Sequence, residues 1–388
     1  MEGGPLYKKK NLWRVDNKDL AKIRESINSG LSGKYSSLFE KKVAKKFKRK
    51  YAIGLNSGTS ALHVALFAVG IKRGDEVIVP PLTFSATAFS VLYLNAKPVF
   101  ADVDINTFNI SPEQIEKKIT NKTKAIITVS IFGLVPNMIK IKKIAKKYNL
   151  KLIEDNAETI FSKQNNLIAG TFGDFSIMSL QRSKHLTTGD GGVLLTSNKS
   201  FYERGRKFSN LGYIASTKKF SKDIIQNPDY FRHEFVAPNY RMPEIIAAMG
   251  LSQLEKADML YNKRVFSGRE YLKILKKFDF VKVQYTPKNF VHSFWTVAFY
   301  FKSRKIKWHS FRKKYLQLGG EPFYACWKLS YQEPALKKLN IKGKCKNAEF
   351  LQKKLILLKT NFYSKNFSVK QAKILDKTLL HFKKKNNL

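Results

Sequence analysis

The chain has 388 residues, enough for a substantial core, and its length suggests two domains or one large domain with an appendage. Its 43% hydrophobic and 26% charged residues are typical of an ordinary soluble globular protein, but its net charge of +43 is not. Because lysines are spread along the whole chain, this charge indicates solvated surfaces, and no specific nucleic-acid partner is expected.

Cysteine, histidine and hydropathy patterns exclude further classes of protein. Two cysteines do not make a disulfide framework, and six scattered histidines argue against a metal centre. The N-terminus lacks the basic and then apolar segments of a signal peptide, so a cytoplasmic protein is expected. The uncharged run over residues 77–96 resembles a membrane span, but Pro80 and Pro81 favour a strand, a turn and a helix, and no membrane partner is expected.

Residues from about 36 to 260 alternate short apolar runs with amphipathic stretches, which predicts βαβ units around a mostly parallel sheet. Apolar residues at helical spacing over 61–69 predict a helix that ends at Gly70. The elements predicted after it are strand 77–79, helix 86–94, strands 98–101 and 125–129, helix 138–148, and strands 151–155, 176–180 and 193–195. The predicted fold class is therefore α/β.

The pattern changes beyond about residue 260, where a lysine-rich helix, a strand-like run over 294–301 and polar helices follow. These elements predict a smaller α+β unit. We therefore expect a large domain over residues 1–255, including an N-terminal arm, and a small C-terminal domain over residues 256–388.

Three segments at predicted strand or helix ends carry candidate chemistry. Gly58, Thr59 and Ser60 open a helix whose N–H groups and dipole favour a phosphate, although such a segment is also a common helix cap. Asp155 ends an apolar strand, where it either faces a cationic ring nitrogen or caps a helix. Lys184 follows a buried strand and precedes a turn with three glycines, a partly desolvated setting that suits an amine nucleophile and base.

These three segments match the needs of pyridoxal phosphate chemistry. The cofactor needs a lysine for its Schiff base, a carboxylate that keeps its ring nitrogen protonated, and an anion cradle for its phosphate. Because ligands of parallel sheets bind outside the carboxyl ends of the strands, the sequence separation of Asp155 and Lys184 does not prevent their contact. The sequence therefore predicts an enzyme, in which His185 is either a second acid–base group or packed scaffold.

Taken together and in order, the segments resemble the DegT/StrS family of sugar aminotransferases, which are fold type I pyridoxal phosphate enzymes. The resemblance runs from about residue 20 to about residue 375. The matching segments are NSGTSALH at 56–63, GDEVIVP at 74–80, KPVFADVD at 97–104, IED at 153–155, GTFGD at 170–174, SK at 183–184 with its Gly-rich turn, and NYRM at 239–242.

The resemblance implies roles for individual residues. Lys184 and Asp155 would be catalytic, the first by carrying the cofactor and the second by holding its ring nitrogen. Asn239 would reach the cofactor of the neighbouring subunit, which implies a homodimer with shared active sites. The further cofactor-binding residues implied are Gly58, Thr59, Ser60 and Ser179 around the phosphate, Phe84 against the ring, and Glu158.

The implied activity is transfer of an amino group from glutamate to a nucleotide-linked keto-deoxy sugar for polysaccharide or O-antigen biosynthesis. Where many members carry Gln, Glu158 resembles the subset that makes 4-amino sugars of the perosamine type, from a 4-keto-6-deoxyhexose. Ser130 departs from the usual histidine of the family. Arg241 is a candidate for attracting the substrate diphosphate, and residues 323–327 either contact the sugar or pack in the core.

Two alternative functions remain open at this stage. One is a 3-dehydratase of nucleotide-linked keto-deoxy sugars, in which a histidine takes the place of the lysine. The other is a noncatalytic regulatory or nucleic-acid-binding relative, which the high positive charge would suit. An intact lysine, aspartate and phosphate cradle favour the aminotransferase over both.

Overall fold

The structure is a computed structural model that describes residues 13–217, 224 and 226–387. Its helices in these ranges are α1 Asn17–Asn28, α2 Lys34–Lys46, α3 Gly58–Ala68, α4 Ala86–Leu92, α5 Pro112–Glu116, α6 Met138–Lys147, α7 Lys199–Phe208, α8 Glu244–Glu255, α9 Ala257–Leu275, α10 Trp308–Gln317, α11 Pro334–Lys338, α12 Lys346–Lys354 and α13 Lys365–Asn386. Its strands are β1 Tyr51–Leu55, β2 Glu76–Val79, β3 Lys97–Phe100, β4 Thr123–Val129, β5 Lys151–Asp155, β6 Lys163–Gln164, β7 Leu167–Ile168, β8 Phe175–Ser179, β9 Gly192–Thr196, β10 Val281–Val283, β11 Phe290–Val291, β12 Thr296–Phe301, β13 Tyr324–Ala325 and β14 Ile356–Lys359.

The larger sheet has seven strands in the order β1-β9-β8-β5-β4-β2-β3. Strand β9 runs antiparallel to both of its neighbours, and the remaining pairs are parallel. Most of its residues are buried, as expected for a sheet covered by helices on both faces. The predicted α/β class with a mostly parallel sheet is therefore confirmed.

Helix α3 forms where its sequence predicts it. The Ser57 hydroxyl caps the helix by accepting a hydrogen bond from the N–H of Ser60, at 3.1 Å. The helix ends at Ala68, and Gly70 follows with a φ of 94°, a conformation that glycine adopts at little cost. This helix places a capped N-terminus beside the carboxyl end of β1.

A second sheet, called the smaller sheet below, is antiparallel, with the strand order β10-β12-β14-β13. A third sheet of short antiparallel strands has the order β11-β6-β7. The strand expected to begin at residue 294 begins instead at Thr296, because Phe294 has a φ of 51° and extended backbone cannot continue through it. The apolar core of the larger sheet extends to Ala298 and Leu357 of the smaller one, so the two regions pack directly. The predicted boundary between residues 255 and 256 falls between α8 and α9 and stays a prediction.

The candidate membrane span over residues 77–96 folds instead as the end of β2, the helix α4 and a connection into β3. Within the ranges given above, no helix combines the length and the apolar character needed to cross a bilayer.

Candidate active site

A cavity of about 390 Å³ lies at the carboxyl ends of β2, β4, β5 and β8, beside the N-terminus of α3. This is the edge at which ligands of parallel sheets bind. The cavity gathers most of the residues that the sequence singles out and adds two tryptophans from the smaller sheet's region. Its lining includes Ser57, Gly58, Thr59, Phe84, Thr87, Asp155, Glu158, Ser179, Lys184, Trp295 and Trp327.

Lys184 lies in the turn between β8 and β9 and places its amine inside this cavity. Its Nζ is 3.5 Å from Oε1 of Glu158 and 4.7 Å from the centre of the Trp295 ring. The lysine side chain is only 16% exposed. A carboxylate and an aromatic face therefore hold the amine when it carries a proton.

Asp155 is the last residue of β5, and its carboxylate is fixed by two donors. Oδ2 accepts from the Thr87 hydroxyl at 3.0 Å, and Oδ1 accepts from the Ala157 N–H at 3.1 Å. Burial raises the pKa of the Asp155 carboxyl, and these hydrogen bonds and the charge of Lys184 only partly oppose it. Because the Asp155 carboxylate is shielded from solvent, a cation in the cavity would stabilise its negative charge.

Glu158 is almost fully buried, and its carboxylate accepts a hydrogen bond from the turn that follows β4. Its Oε2 accepts from the N–H of Phe132 at 3.0 Å. Phe132 follows β4 with a φ of 61°, and this left-handed conformation directs its N–H into the site. Burial raises the pKa of the Glu158 carboxyl, and the charge of Lys184 opposes this effect.

The start of α3 forms an anion cradle. N–H groups in the first turn of a helix have no intrahelical acceptor and favour an anion. A Cβ on Gly58 would lie 3.0 Å from the Cβ of Ser179, and one on Gly192 would lie 2.1 Å from the carbonyl oxygen of Ser57. Two glycines thus allow β8 and β9 to approach the helix start closely.

The donor set of the cavity fits pyridoxal phosphate. An amine, a buried carboxylate and a small-residue cradle beside the Ser179 hydroxyl converge on one space. Phe84 lies at the wall of the same cavity with 62% of its surface exposed, so its ring is available for stacking.

Two of the predicted cofactor-binding residues, and the diphosphate candidate Arg241, lie outside this cavity in the single chain. The Ser60 hydroxyl bonds to Asn56 and lies 2.6 Å from that of Ser57, and it is not part of the cavity lining. Asn239 lines a separate cavity of about 510 Å³, together with Arg241 and Glu40. Their predicted roles stay predictions.

The open interpretations of His185 and residues 323–327 can now be decided by position. His185 is buried outside the cavity lining, with Nε2 3.1 Å from the Ser293 carbonyl, and burial lowers its pKa well below the ordinary value, so it is packed scaffold. Phe323 is buried in the smaller sheet's core, whereas Trp327 lines the cavity. The segment therefore packs in the core at Phe323 and reaches the cavity at Trp327, and its contact with a sugar stays a prediction.

Two residues of the site have no counterpart in the sequence-based prediction: Thr87 and Trp295. Thr87 fixes Asp155, and Trp295 stacks with Trp327 with ring centres 6.1 Å apart. Thr87 carried no signal, since it stood inside the predicted helix 86–94. Trp295 carried none, since it stood inside a predicted strand.

Comparison with known proteins identifies the family. The model of the DegT/DnrJ/EryC1/StrS aminotransferase family matches residues 14–371. The chain belongs to this family. The match covers both sheets and every residue of the cavity named above, and a chain of this family with this donor set is a pyridoxal phosphate-dependent aminotransferase.

Two sequence relatives and one solved structure illustrate which proteins the chain is similar to. GDP-perosamine synthase of Escherichia coli O157:H7 is 40% identical over 289 residues, 73% of this chain and 75% of its own. GDP-perosamine synthase of Vibrio cholerae is 32% identical over 287 residues, with the same two coverages. The structure of E. coli GDP-4-keto-6-deoxy-D-mannose-3-dehydratase with bound hydrated PLP superposes with a TM-score of 0.83 at 25% identity, covering 93% of this chain and 97% of that one.

Proposed function

We propose that this aminotransferase moves an amino group from glutamate to a nucleotide-linked 4-keto-6-deoxyhexose, with a product of the perosamine type. The observation that carries the proposal is the Lys184 amine in one cavity with Asp155 and the α3 cradle. The likeness to two GDP-perosamine synthases supports the sugar class.

The residues of the cavity divide the task of holding the cofactor. Lys184 would bind its aldehyde carbon, Asp155 its ring nitrogen, and Thr59, Ser179 and the first turn of α3 its phosphate. When bound, pyridoxal phosphate supplies the electron sink for breaking a bond at the amino-bearing carbon. Phe84 would cover one face of its ring.

Lys184 is also placed to move protons. Once its Nζ is not covalently engaged, the amine can take a proton from the substrate carbon as a general base and return one as a general acid. Glu158, 3.5 Å away, stabilises the protonated amine between these two events. The Asp155 carboxylate stays charged as long as a cation faces it.

The finer assignments follow from the family resemblance and from where Asn239 lies. In one chain Asn239 borders a different cavity from Lys184, which suits a residue that completes the site of a partner subunit. We therefore include in the proposal a homodimer with shared active sites, a cytoplasmic location and a role in lipopolysaccharide or O-antigen biosynthesis.

The 3-dehydratase is the second candidate, because one similar structure is such an enzyme. In this chain the lysine is present in the cavity, and the neighbouring His185 lies buried outside it. This arrangement favours transamination, since the available base is an amine able to bind the cofactor covalently.

The test is a two-step assay with cofactor-loaded protein. Glutamate is added first, and the loss of the cofactor's visible absorbance is followed. A panel of GDP- and dTDP-linked 4-keto and 3-keto deoxy sugars is then offered one at a time. The proposal expects recovery of the absorbance and an amino sugar product with a GDP-linked 4-keto-6-deoxyhexose. Release of a 3-deoxy sugar without nitrogen would establish the dehydratase instead.

A further inference from the structure

Two buried arginines, Arg14 and Arg264, donate hydrogen bonds to main-chain carbonyls around Lys184. Arg264, on α9, donates from Nη2 to the carbonyl oxygens of Ser183 at 2.9 Å and of Lys184 at 3.2 Å. Arg14, in the segment before α1, donates to the carbonyl oxygens of Arg182 at 2.7 Å and of His185 at 3.3 Å, and also to that of Lys184. The carbonyl of the lysine itself thus accepts from both guanidinium groups.

Arg14 and Arg264 are unusual because their hydrogen-bond acceptors are mainly carbonyl oxygens rather than carboxylates. Among the described residues, no carboxylate lies within ion-pair distance of Arg14 or Arg264, which are 8% and 3% exposed. Burial lowers the pKa of Arg14 to about 10 and that of Arg264 well below its ordinary value. The charge of Glu158 opposes the effect of burial on Arg264 only in part. Burying a guanidinium without an ion-pair partner costs free energy, so stability alone does not account for the pair.

Each arginine is itself anchored to another part of the molecule. Arg264 also donates from Nη1 to the Trp295 carbonyl at 2.7 Å and to the Thr360 hydroxyl at 3.2 Å. The carbonyl of Arg14 accepts from Gln253 Nε2 at 2.7 Å and from Lys256 Nζ at 3.2 Å. The turn that carries Lys184 is therefore tied to α8, to α9 and to the region of the smaller sheet.

Arginine suits this position by its shape as well as by its charge. A guanidinium presents several N–H donors in one rigid plane, so one side chain can fix two successive carbonyl groups in a way that an ammonium cannot. Trp295 adds a further donor, since its Nε1 bonds to the Ser183 carbonyl at 3.0 Å. With the main chain fixed, the lysine side chain keeps its amine between Glu158 and the Trp295 ring.

We propose that Arg14 and Arg264 are positioning residues that hold the Lys184 main chain so that its amine meets the aldehyde carbon of the cofactor. The inference rests on the proposed role of Lys184 as the cofactor-binding lysine. Neither arginine lines the cavity, so both act through the lysine turn rather than by contact with substrate.

The experiment measures covalent capture of the cofactor, separately from turnover. Full-length protein freed of cofactor is mixed with pyridoxal phosphate, quenched with borohydride after set times, and the modified Lys184 peptide is quantified by mass spectrometry. Total binding is measured in parallel by equilibrium dialysis. The variants are Arg264→Met and Arg14→Met, with Arg264→Lys and Arg14→Lys as conservative replacements.

Arg49→Met is the matched control, because Arg49 also donates to two successive carbonyls, those of Gly173 at 2.7 Å and Asp174 at 3.1 Å, away from the lysine turn. We expect capture at Lys184 to slow by about tenfold or more in both Met variants, since small misplacements of reacting atoms have large effects on rate. The Lys variants should recover part of the rate, and Arg49→Met should match the wild type even if its melting temperature falls.

Equal capture rates in the folded Met variants and the wild type would overturn the inference and leave the role of Lys184 intact. If Arg264→Met does not fold, Arg14→Met decides the question, since Arg14 lies outside both sheets. Absence of borohydride-fixed cofactor at Lys184 in the wild type would overturn the proposed function itself, and with it this inference.

Discussion

The two walls of the cavity differ in chemistry and in how the chain builds them. The wall at the carboxyl edge of the larger sheet carries the charged groups, Lys184, Asp155 and Glu158. The opposite wall, from loops around the smaller sheet, carries Trp295 and Trp327. In the proposed function, the charged groups would serve the steps common to every substrate, whereas an uncharged aromatic wall is suited to choosing among substrates by shape.

The two walls also differ in the backbone that supports their side chains. Asp155 and Glu158 are fixed by donors from Thr87 and Phe132, groups that follow parallel strands of the same sheet. Trp295 stands before β12, where the backbone has just left the left-handed conformation of Phe294. The charged wall is thus built from regular strand ends, and the aromatic wall from an irregular entry into a strand.

Replacement of the lysine should have the largest effect on the charged wall. In the proposed function Lys184 is both the cofactor-binding amine and the proton-transferring base, so turnover of Lys184→Ala should fall by about 10⁴-fold or more. The measurement is the rate of amino transfer from glutamate, with Lys199→Ala, an exposed lysine on α7, as the control. Retention of more than about one-hundredth of the rate would remove Lys184 from the account.

Asp155→Asn should follow, with a loss of about 10²- to 10³-fold in the rate of the glutamate half-reaction. An amide cannot compensate a cation at the ring nitrogen, although it nearly preserves the shape of the carboxylate. Thr87→Val removes only the hydroxyl that donates to Asp155 at 3.0 Å, so it should lower this rate much less. If the two variants were equally slow, the hydrogen bond and not the charge would be the important property.

Within the aromatic wall, Trp327 should affect only the reaction with the sugar, since it is Trp295 that contacts the Lys184 amine. Trp327→Ala is expected to slow the sugar half-reaction by about tenfold, because the sugar loses an aromatic contact surface. The glutamate half-reaction should change by less than about twofold, and Tyr324→Ala, at an exposed neighbouring position, should leave both unchanged. Equal losses in both half-reactions would show that the wall acts on the cofactor instead.

The cradle should show a smaller effect on cofactor affinity. Thr59→Val should weaken pyridoxal phosphate binding by about tenfold, as a hydrogen bond to a charged group contributes about 1.5 kcal/mol. Thr59→Ser keeps the hydroxyl and serves as the control, and both dissociation constants can be measured by fluorescence titration. Unchanged affinity in the valine variant would place the phosphate away from the start of α3.

Glu158→Gln should have the smallest effect, visible in the pH dependence of stability. Since the pKa of Glu158 is raised in the folded chain, its contribution is fully present below the unfolded pKa and is lost as the pH rises through the folded pKa. A glutamine side chain does not ionise, so its contribution to stability does not change with pH. The free energy of unfolding of cofactor-free Glu158→Gln, relative to wild type, should therefore increase between about pH 4.5 and pH 8 in urea titrations. A pH-independent difference would contradict the raised pKa.

The structure places Lys184 and Asp155 in one cavity, as the sequence predicted, because regular strands end there. Lys184 and Asp155 each follow an apolar run that formed a buried strand, and parallel strands bring their carboxyl ends together. Trp295 was missed because the positive φ of Phe294 interrupts a run that resembles a continuous strand. Arg14 and Arg264 were missed because their partners are backbone carbonyls, which leave no residue pattern to recognise.

The central claim is tested most directly with glutamate labelled with ¹⁵N. Cofactor-loaded wild-type protein and Lys184→Ala are each incubated with labelled glutamate and a GDP-linked 4-keto-6-deoxyhexose, and the sugar product is analysed by mass spectrometry. We predict one ¹⁵N atom per product molecule with the wild type and no labelled product with the variant. A product without ¹⁵N, or equal labelling by both proteins, would contradict the account.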